Sequence, residues 1–397
     1  MQWCDFAYSK YLKLLLPYTF ITCIFTVNIE AKTMNAYVKI FLIGLSLTGF
    51  NSLAQVTPEE EEEDFSQYEQ FSLDDSVKRY CTPKVVGLSP AKLITVGYEM
   101  ALGHDINASA MGMFSSAQTG NVSAYQGLVI GANLPVVSNN EILINVGGNF
   151  VNSAYSFSND TLSNPLLKSL EGGIRTVGLN TTIFKPLNQK HFILAFLAGE
   201  YNGNNTFTSW HPFNLLKFTA VGVFGWKFND RFQFGIGATQ TYRAGGKSFL
   251  PVIMYNYTSK NEKWGIESLL PARFHHRYSF NRRTMLLTGF EIVGASYHLA
   301  NRDGFFPTGT TTVGDVTDYN SDLLELRRSE IRLRLDFQRA LTDFIWISAQ
   351  AGYIINYNFN LDSGNFYRGF GSDRPMLMEN DVTSAPYFQL TLNLVSP

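Results

Sequence analysis

The sequence predicts an all-β protein, a closed antiparallel up-and-down transmembrane β-barrel. Two observations predict this fold: a long series of segments with a side-chain period of two, and connections that alternate between short and long. In residues 330–338, EIRLRLDFQ, apolar side chains alternate with charged or polar ones. A strand directs the two sets to opposite faces. In a soluble sandwich the apolar face would pack on a second sheet, whereas in a membrane barrel it meets lipid and the polar face lines a lumen.

The first element is an export signal. Residues 34–54, MNAYVKIFLIGLSLTGFNSLA, contain a lysine, an 11-residue apolar run and a small-x-small cleavage site, which is the order of parts in a secretory signal peptide. The run is too short for a spanning helix, which needs about 20 residues. We therefore expect cleavage after Ala54. Residues 1–33 then precede the true start at Met34, and the alternative is an unusual bipartite leader.

An acidic arm is expected at residues 55–90. Nine acidic residues lie between Glu59 and Asp75, with no lysine or arginine among them. This composition is typical of a solvated, disordered arm, here in the periplasm, and it favours a linker over a metal site. Of the three cysteines only Cys81 lies beyond the leader. One thiol cannot form an internal disulfide, so the fold must be stable without one.

The barrel is predicted for residues 91–397, with 14 strands. The expected strands are 92–103, 125–137, 141–153, 173–185, 190–201, 215–228, 231–242, 248–258, 263–270, 272–280, 283–299, 323–340, 343–358 and 384–396. Two of them, in WGIESLL and ARFHHRYSF, are short for membrane strands of about 9–11 residues. A 12-stranded barrel, in which one of these pieces leaves the wall, is the alternative.

The connections fall into two length classes. Tight ones are expected at 138–140, 229–230, 259–262 and 342–343, and long polar ones at 104–124, 154–172, 202–214, 300–322 and 359–383. An up-and-down barrel places tight turns at its periplasmic end and long loops outside. A soluble sandwich gives no reason for this sorting.

The polar faces of the predicted strands carry mainly small residues. In 141–151, 174–184 and the last strand, one face holds Ile, Leu, Val or Phe, and the other holds mostly Gly, Asn, Thr or Gln. A sandwich exposes Lys and Glu on its outer face instead. Small polar side chains suit the concave, hydrated inside of a barrel.

A charged belt is expected inside the lumen. Arg332 or Arg334 on the lipid face would each cost about 2–4 kcal/mol near the bilayer midplane, so both must face inward. The predicted belt consists of Arg273, His275, Arg277, Glu291, Glu330, Arg332, Arg334 and Asp336. Mixed signs favour a structural network that stiffens a narrow barrel. The second interpretation is a constriction that selects solutes by charge, with arginines favouring anions.

Three segments carry a resemblance to a known class of proteins: the leader ending SLAQ, the first strand KLITVGYEMA and the closing strand YFQLTLNLV. With them the chain resembles the outer-membrane β-barrel proteins of Bacteroidota, including families described only as domains of unknown function. The resemblance covers about residues 90–397 and implies an outer-membrane location. Many such barrels end in an aromatic residue, whereas this chain ends Val395-Ser396-Pro397.

Motifs of catalysis are missing from the sequence. It contains neither G-x-S-x-G nor H-E-x-x-H, and its acidic loops lack EF-hand spacing. We expect no enzyme, no cofactor and no metal site. The expected partners are the outer-membrane bilayer and small solutes, nucleic acid is excluded by location, and the oligomeric state is left open. Two functions remain: a porin-like channel or transporter for small solutes, and a structural or surface-interaction barrel with a closed lumen and partner-binding outer loops.

Overall fold

The computed structural model describes residues 81–82, 85–204, 215–243, 246–301, 303–363 and 375–396. These residues belong to one compact unit, Asp75–Pro397. The predicted leader, the signal peptide and most of the acidic arm lie outside the described residues.

Sixteen strands and one α-helix are present in the described part of the chain. They are β1 (Lys92–Ala101), β2 (His104–Ala108), β3 (Gln118–Ser138), β4 (Leu143–Phe157), α1 (Pro165–Glu171), β5 (Ile174–Pro186), β6 (His191–Gly203), β7 (Lys217–Asn229), β8 (Phe232–Thr241), β9 (Ser248–Thr258), β10 (Trp264–Leu270), β11 (Arg273–Asn281), β12 (Thr284–His298), β13 (Glu325–Ala340), β14 (Ile345–Asp362), β15 (Asp381–Val382) and β16 (Ala385–Val395). No helix among the described residues is long and apolar enough to cross a bilayer.

Fourteen of these strands form a closed wall. Strands β3 to β14 are antiparallel neighbours in chain order, β16 pairs with β14 and with β1, and β1 pairs with β3. The short strands β2 and β15 pair with each other beside β3 and are not part of the closed ring. The predicted 14-stranded up-and-down barrel is therefore confirmed. The 12-strand alternative is wrong, because β10 and β11 both belong to the wall.

The two ends of the barrel differ as the sequence predicts. At one end, which we call the turn end, short turns join β3 to β4, β5 to β6, β7 to β8, β9 to β10, β11 to β12 and β13 to β14. At the other end, the loop end, the connections are mostly long. Three of them are not pure loop, because one contains β2, another contains α1 and a third contains β15.

The outer surface of the wall is apolar. Leu333, Leu335 and Phe337 of β13 are 45%, 55% and 42% exposed, and the outward residues of β16 behave alike. The alternate residues point inward, among them Asp336, Gln338 and Thr391, and are buried. A single closed sheet with an apolar outer face is the arrangement that a bilayer stabilises, because lipid solvates that face and the strands pair with one another around the ring.

The wall extends least far towards the loop end at β10 and β11, its two shortest strands. Their turn at Pro271 and Ala272 lies level with Ile292, so the last residues of β12 have no β11 neighbour. Instead His298 of β12 pairs with Gly203 of β6, a strand six positions away in the wall. The loop-end parts of β12 and β13 thus lie within the mouth. Residues 325–330 are consequently buried on both faces, which the simple alternation predicted over 323–340 does not anticipate.

An apolar cluster fills the mouth at the loop end; we call it the loop-end plug. Its buried side chains include Ile106, Met111, Leu166, Leu167, Leu170, Leu299, Phe306, Tyr319, Leu324, Leu326, Leu361 and Met378. Helix α1 begins where the Asn164 side chain accepts a hydrogen bond from the Leu166 N–H, with Pro165 in the first turn. These are N-terminal signals of a helix, and they lie inside the segment predicted as a plain loop. The described residues of the loop end therefore share a buried apolar core.

Candidate functional site

The structure places the eight side chains of the predicted belt on the inward face, as the strand register shows. They do not form one belt. They separate into three hydrogen-bonded groups, which we call the upper network, the chamber and the basal network. Each group also contains residues outside the prediction.

The upper network joins β13 to strands three to five positions away in the wall. Glu330 is fully buried and accepts hydrogen bonds from Arg328 Nη2 at 2.7 Å and Arg332 Nε at 2.5 Å. Arg332 Nη1 also donates to Glu99 Oε2 at 2.7 Å. Two arginines are balanced by two carboxylates, so the network is neutral and fully paired.

Two tyrosines complete the upper network. Arg328 Nη1 donates to the hydroxyl oxygens of Tyr125 and Tyr155, each at 3.1 Å, and its guanidinium lies over the Tyr125 ring. The two rings are 5.0 Å apart. Such contacts satisfy a buried arginine that a lone carboxylate would leave partly unpaired. The upper network thus ties β13 to β3 and β4 directly beneath the loop-end plug.

The chamber lies nearer the turn end. Arg334 Nη1 donates to Glu291 Oε2 at 2.8 Å, and Asp336 accepts from the Ser348 hydroxyl and, at 2.8 Å, from Gln338 Nε2. Although Glu291 points inward, 35% of its side chain is accessible. Accessible side chains deep inside a barrel indicate a space that water enters.

Unpartnered cationic groups distinguish the chamber. Arg273 is exposed, and neither it nor Lys92 has a hydrogen bond or ion pair with the residues that the structure describes. Within the same described residues, His275 Nε2 and Arg334 Nε are buried without a hydrogen-bond partner. His275 is only 5% exposed.

The basal network surrounds a fully buried Arg277. Its guanidinium donates to Glu267 Oε1 at 3.0 Å, to Thr258 Oγ1 at 2.9 Å and to Ser279 Oγ at 2.7 Å. Glu267 in turn accepts from the Ser89 N–H at 2.9 Å and from the Ser89 hydroxyl. Arg277 therefore anchors the chain before β1 and is separate from the chamber.

The described residues before β1 run along the turn end. Val86 N donates to Asp230 O at 2.8 Å, and Lys227 Nζ donates to Thr82 Oγ1 at 2.8 Å. Cys81 is buried in an apolar cluster with Phe184 and Phe192, and burial raises the pKa of its thiol. This part of the predicted acidic arm, residues 81–82 and 85–90, therefore contacts the barrel.

The wall facing the charged strands carries little side-chain bulk. Inward positions of β4 and β5 are occupied by Asn149, Gly178, Asn180 and Thr182, as the predicted faces require, and β3 adds Gly131 beside Asn149. Several are half-exposed although they face the lumen. Small residues opposite large charged ones leave open space in the middle of the barrel.

Several site residues were missed by sequence reasoning. The inward position of Glu99 could have been predicted, because the alternation in KLITVGYEMA places Glu99 on the face opposite Val96 and Tyr98. Arg328 follows Arg327, and two adjacent arginines do not reveal which one faces inward. Lys92, Glu267 and the two tyrosines are ordinary residues at strand positions, and their roles depend on the fold.

Comparison with known proteins identifies a family for most of the chain. Residues 117–394 match the family described as "Domain of unknown function (DUF6268)". No curated protein matches the chain significantly.

Among solved structures, the chain is similar to several bacterial barrels. An outer membrane channel from Pseudomonas putida F1 is 11% identical, with a TM-score of 0.35 and coverage of 78% of this chain and 97% of that one. A Pseudomonas aeruginosa FadL homologue is 10% identical, with a TM-score of 0.35 and coverage of 77% and 90%. The Pseudomonas putida toluene transporter TodX is 10% identical, with a TM-score of 0.28 and coverage of 80% and 95%. Scores of this size do not carry a function from one chain to another.

Proposed function

This chain belongs to the DUF6268 family, and we propose that it is an outer-membrane channel for small solutes whose loop end is closed in the conformation described. The observation that carries the proposal is the chamber, a water-accessible space lined by charged groups inside a membrane-spanning wall. A barrel with a purely structural role has no need of inward-facing cations without partners.

The outer-membrane location is part of the same proposal. The apolar outer face requires a bilayer, and the signal peptide predicted at residues 34–54 directs export. In this orientation the turn end faces the periplasm and the loop end faces outward. The expectation that the protein is not an enzyme stays a prediction.

Passage through the barrel requires the loop-end plug to move. Helix α1 has only seven residues and is attached by loops on both sides, and it closes the mouth by apolar contacts. Contacts of this kind can be broken without leaving unpaired charges. We therefore propose that α1 moves when the channel opens. The upper network stays in place, because its charges are paired.

A closed interaction barrel remains the second candidate. It is favoured by the upper network, whose side chains are fully paired with one another beneath the loop-end plug. In that case the outer loops would bind a partner and no solute would pass.

Single-channel recording in planar bilayers separates the two functions. We expect refolded wild-type protein to show rare openings, and Leu167→Ala to open more often, because removing a buried leucine weakens the plug by about 2–5 kcal/mol. Met113→Ala is the matched control, since Met113 lies in a neighbouring loop-end segment and is fully exposed. Absence of conductance in all three proteins, at either polarity, would establish the closed barrel.

A further inference from the structure

We propose that the chamber contains a binding site for a small oxyanion, such as a carboxylate or phosphate, formed by Lys92, Arg273, His275 and Arg334. The site deepens the proposed function and rests on it only in taking the lumen as filled with water. Its argument comes from charge balance, from unpartnered donors and from the strand register that brings two of these donors to either side of one glycine.

The chamber has an excess of positive charge. Its cations are Lys92, Arg273 and Arg334, and its anions are Glu291 and Asp336, so three positive charges face two negative ones with His275 neutral. Lys92 lies within electrostatic range of Asp336, Arg334 and Glu291, and His275 lies within range of both arginines and both carboxylates. The upper network, by contrast, balances two arginines with two carboxylates.

The anions of the chamber already have their own donors. Asp336 is held by Ser348 and Gln338, which are neutral, and Glu291 is held by Nη1 of Arg334. Arg273 and Lys92 therefore keep their full hydrogen-bonding capacity. Buried cations and donors without partners cost free energy unless another group or water satisfies them.

The unpartnered donors flank a glycine. His275 of β11 and Arg334 of β13 are both register partners of Gly289 on β12, one strand away on each side. Neighbouring strands lie about 4.8 Å apart, so the two Cα atoms are about 10 Å apart. No other residue fits at position 289, because its φ is +154° and an added Cβ would lie 1.9 Å from Phe274 O.

This geometry selects an oxyanion. Nη1 of Arg334 is used by Glu291, while Nε, on the side edge of the guanidinium, is buried and unpartnered. An oxygen held by Arg334 Nε and His275 Nε2 would satisfy both buried donors. The exposed guanidinium of Arg273, one row above His275 on β11, matches the second oxygen of a carboxylate or phosphate.

Isothermal titration of the refolded full chain in detergent micelles tests the site. The probes are inorganic phosphate and acetate, with glycerol as the uncharged comparison. We expect saturable binding of at least one anion, weakened about tenfold or more in Arg273→Gln, because a charge-assisted hydrogen bond is lost. Lys92→Gln is the second variant, and it should weaken binding in the same direction.

Arg231→Gln is the matched control. Arg231 lies exposed in the turn between β7 and β8, away from the chamber, so its substitution should leave anion affinity unchanged. The inference is overturned if wild-type protein binds neither anion, if glycerol binds as tightly, or if both chamber variants bind like wild type.

The two proposals fail separately. Anion binding without any conductance would remove the channel and keep the site. Conductance without anion binding, and without a change in reversal potential in Arg273→Gln, would keep the channel and remove the site.

Discussion

Charged residues in this barrel contribute to stability in two different ways, according to whether water reaches them. Glu330 and Arg328 are buried and Arg332 is largely so, and each depends on the others for compensation of its desolvation. The pair of Arg283 and Asp343, at the turn end, has both side chains about two-thirds exposed. Water solvates each of these groups, and the pair contributes little to stability.

Replacing Glu330 with glutamine tests this difference. We expect Glu330→Gln to lower the free energy of unfolding by about 3–5 kcal/mol, because Arg328 and Arg332 would lose the charge that compensates them. Urea unfolding in lipid vesicles, followed by tryptophan fluorescence, measures the change. Asp343→Asn is the control and should cost no more than about 1 kcal/mol. Equal losses in the two variants would show that the upper network is not a stabilising one.

For single residues, the sequence predicts whether a charged side chain points into the lumen or towards lipid. It does not predict which residue that side chain pairs with. Alternation in EIRLRLDFQ correctly directs Arg332 and Arg334 inward, because lipid cannot accommodate them. It cannot reveal that Arg332 pairs with Glu99, which is 233 positions away, while Arg334 pairs with Glu291. Which strands face each other across the lumen is decided by closure of the whole wall.

At the scale of strands, the alternation of apolar and polar residues predicts which segments form the wall, but it does not predict how one strand affects the burial of another. Strands β10 and β11 have seven and nine residues, and both belong to the wall as predicted. Their shortness leaves the end of β12 without a neighbour on the β11 side, so this end and the adjoining end of β13 turn into the mouth, where residues 325–330 are buried on both faces. No pattern within residues 325–330 signals this, because its cause lies in a different hairpin.

The segment before β1 offers a test at the scale of elements. Burial raises the pKa of the Cys81 thiol, so less thiolate exists at a given pH when the segment is in place. We expect slow alkylation of Cys81 by iodoacetamide in folded protein, with a rate that rises at higher pH than for a free cysteine. Peptide mapping by mass spectrometry assigns the label to Cys81 among the three cysteines.

The same protein unfolded in urea is the reference. Its Cys81 should react at the rate of an exposed thiol, with an ordinary pH dependence. If folded protein reacts equally fast, the segment does not stay against Phe184 and Phe192.

The molecule as a whole is stabilised by its outer face. Leu335 is 55% exposed near the middle of β13, and Leu341 is 57% exposed at the following turn. We expect Leu335→Arg to lower the free energy of unfolding in vesicles by about 2–4 kcal/mol, and Leu341→Arg by about 0–1 kcal/mol, because the cost of a charge in lipid depends on depth. Equal costs, measured by urea titration, would contradict a bilayer centred on the strands.

The seam between β1 and β16 has a consequence for how the protein is made. It joins Lys92 to Val395, so the ring cannot close until the final strand has been synthesised. Until then the growing sheet has two edges with unpaired backbone N–H and C=O groups, and its outer surface is apolar. Both features favour aggregation with other chains. Biogenesis therefore needs either a chaperone that covers those edges during transport or assembly of an almost complete sheet before it reaches the membrane.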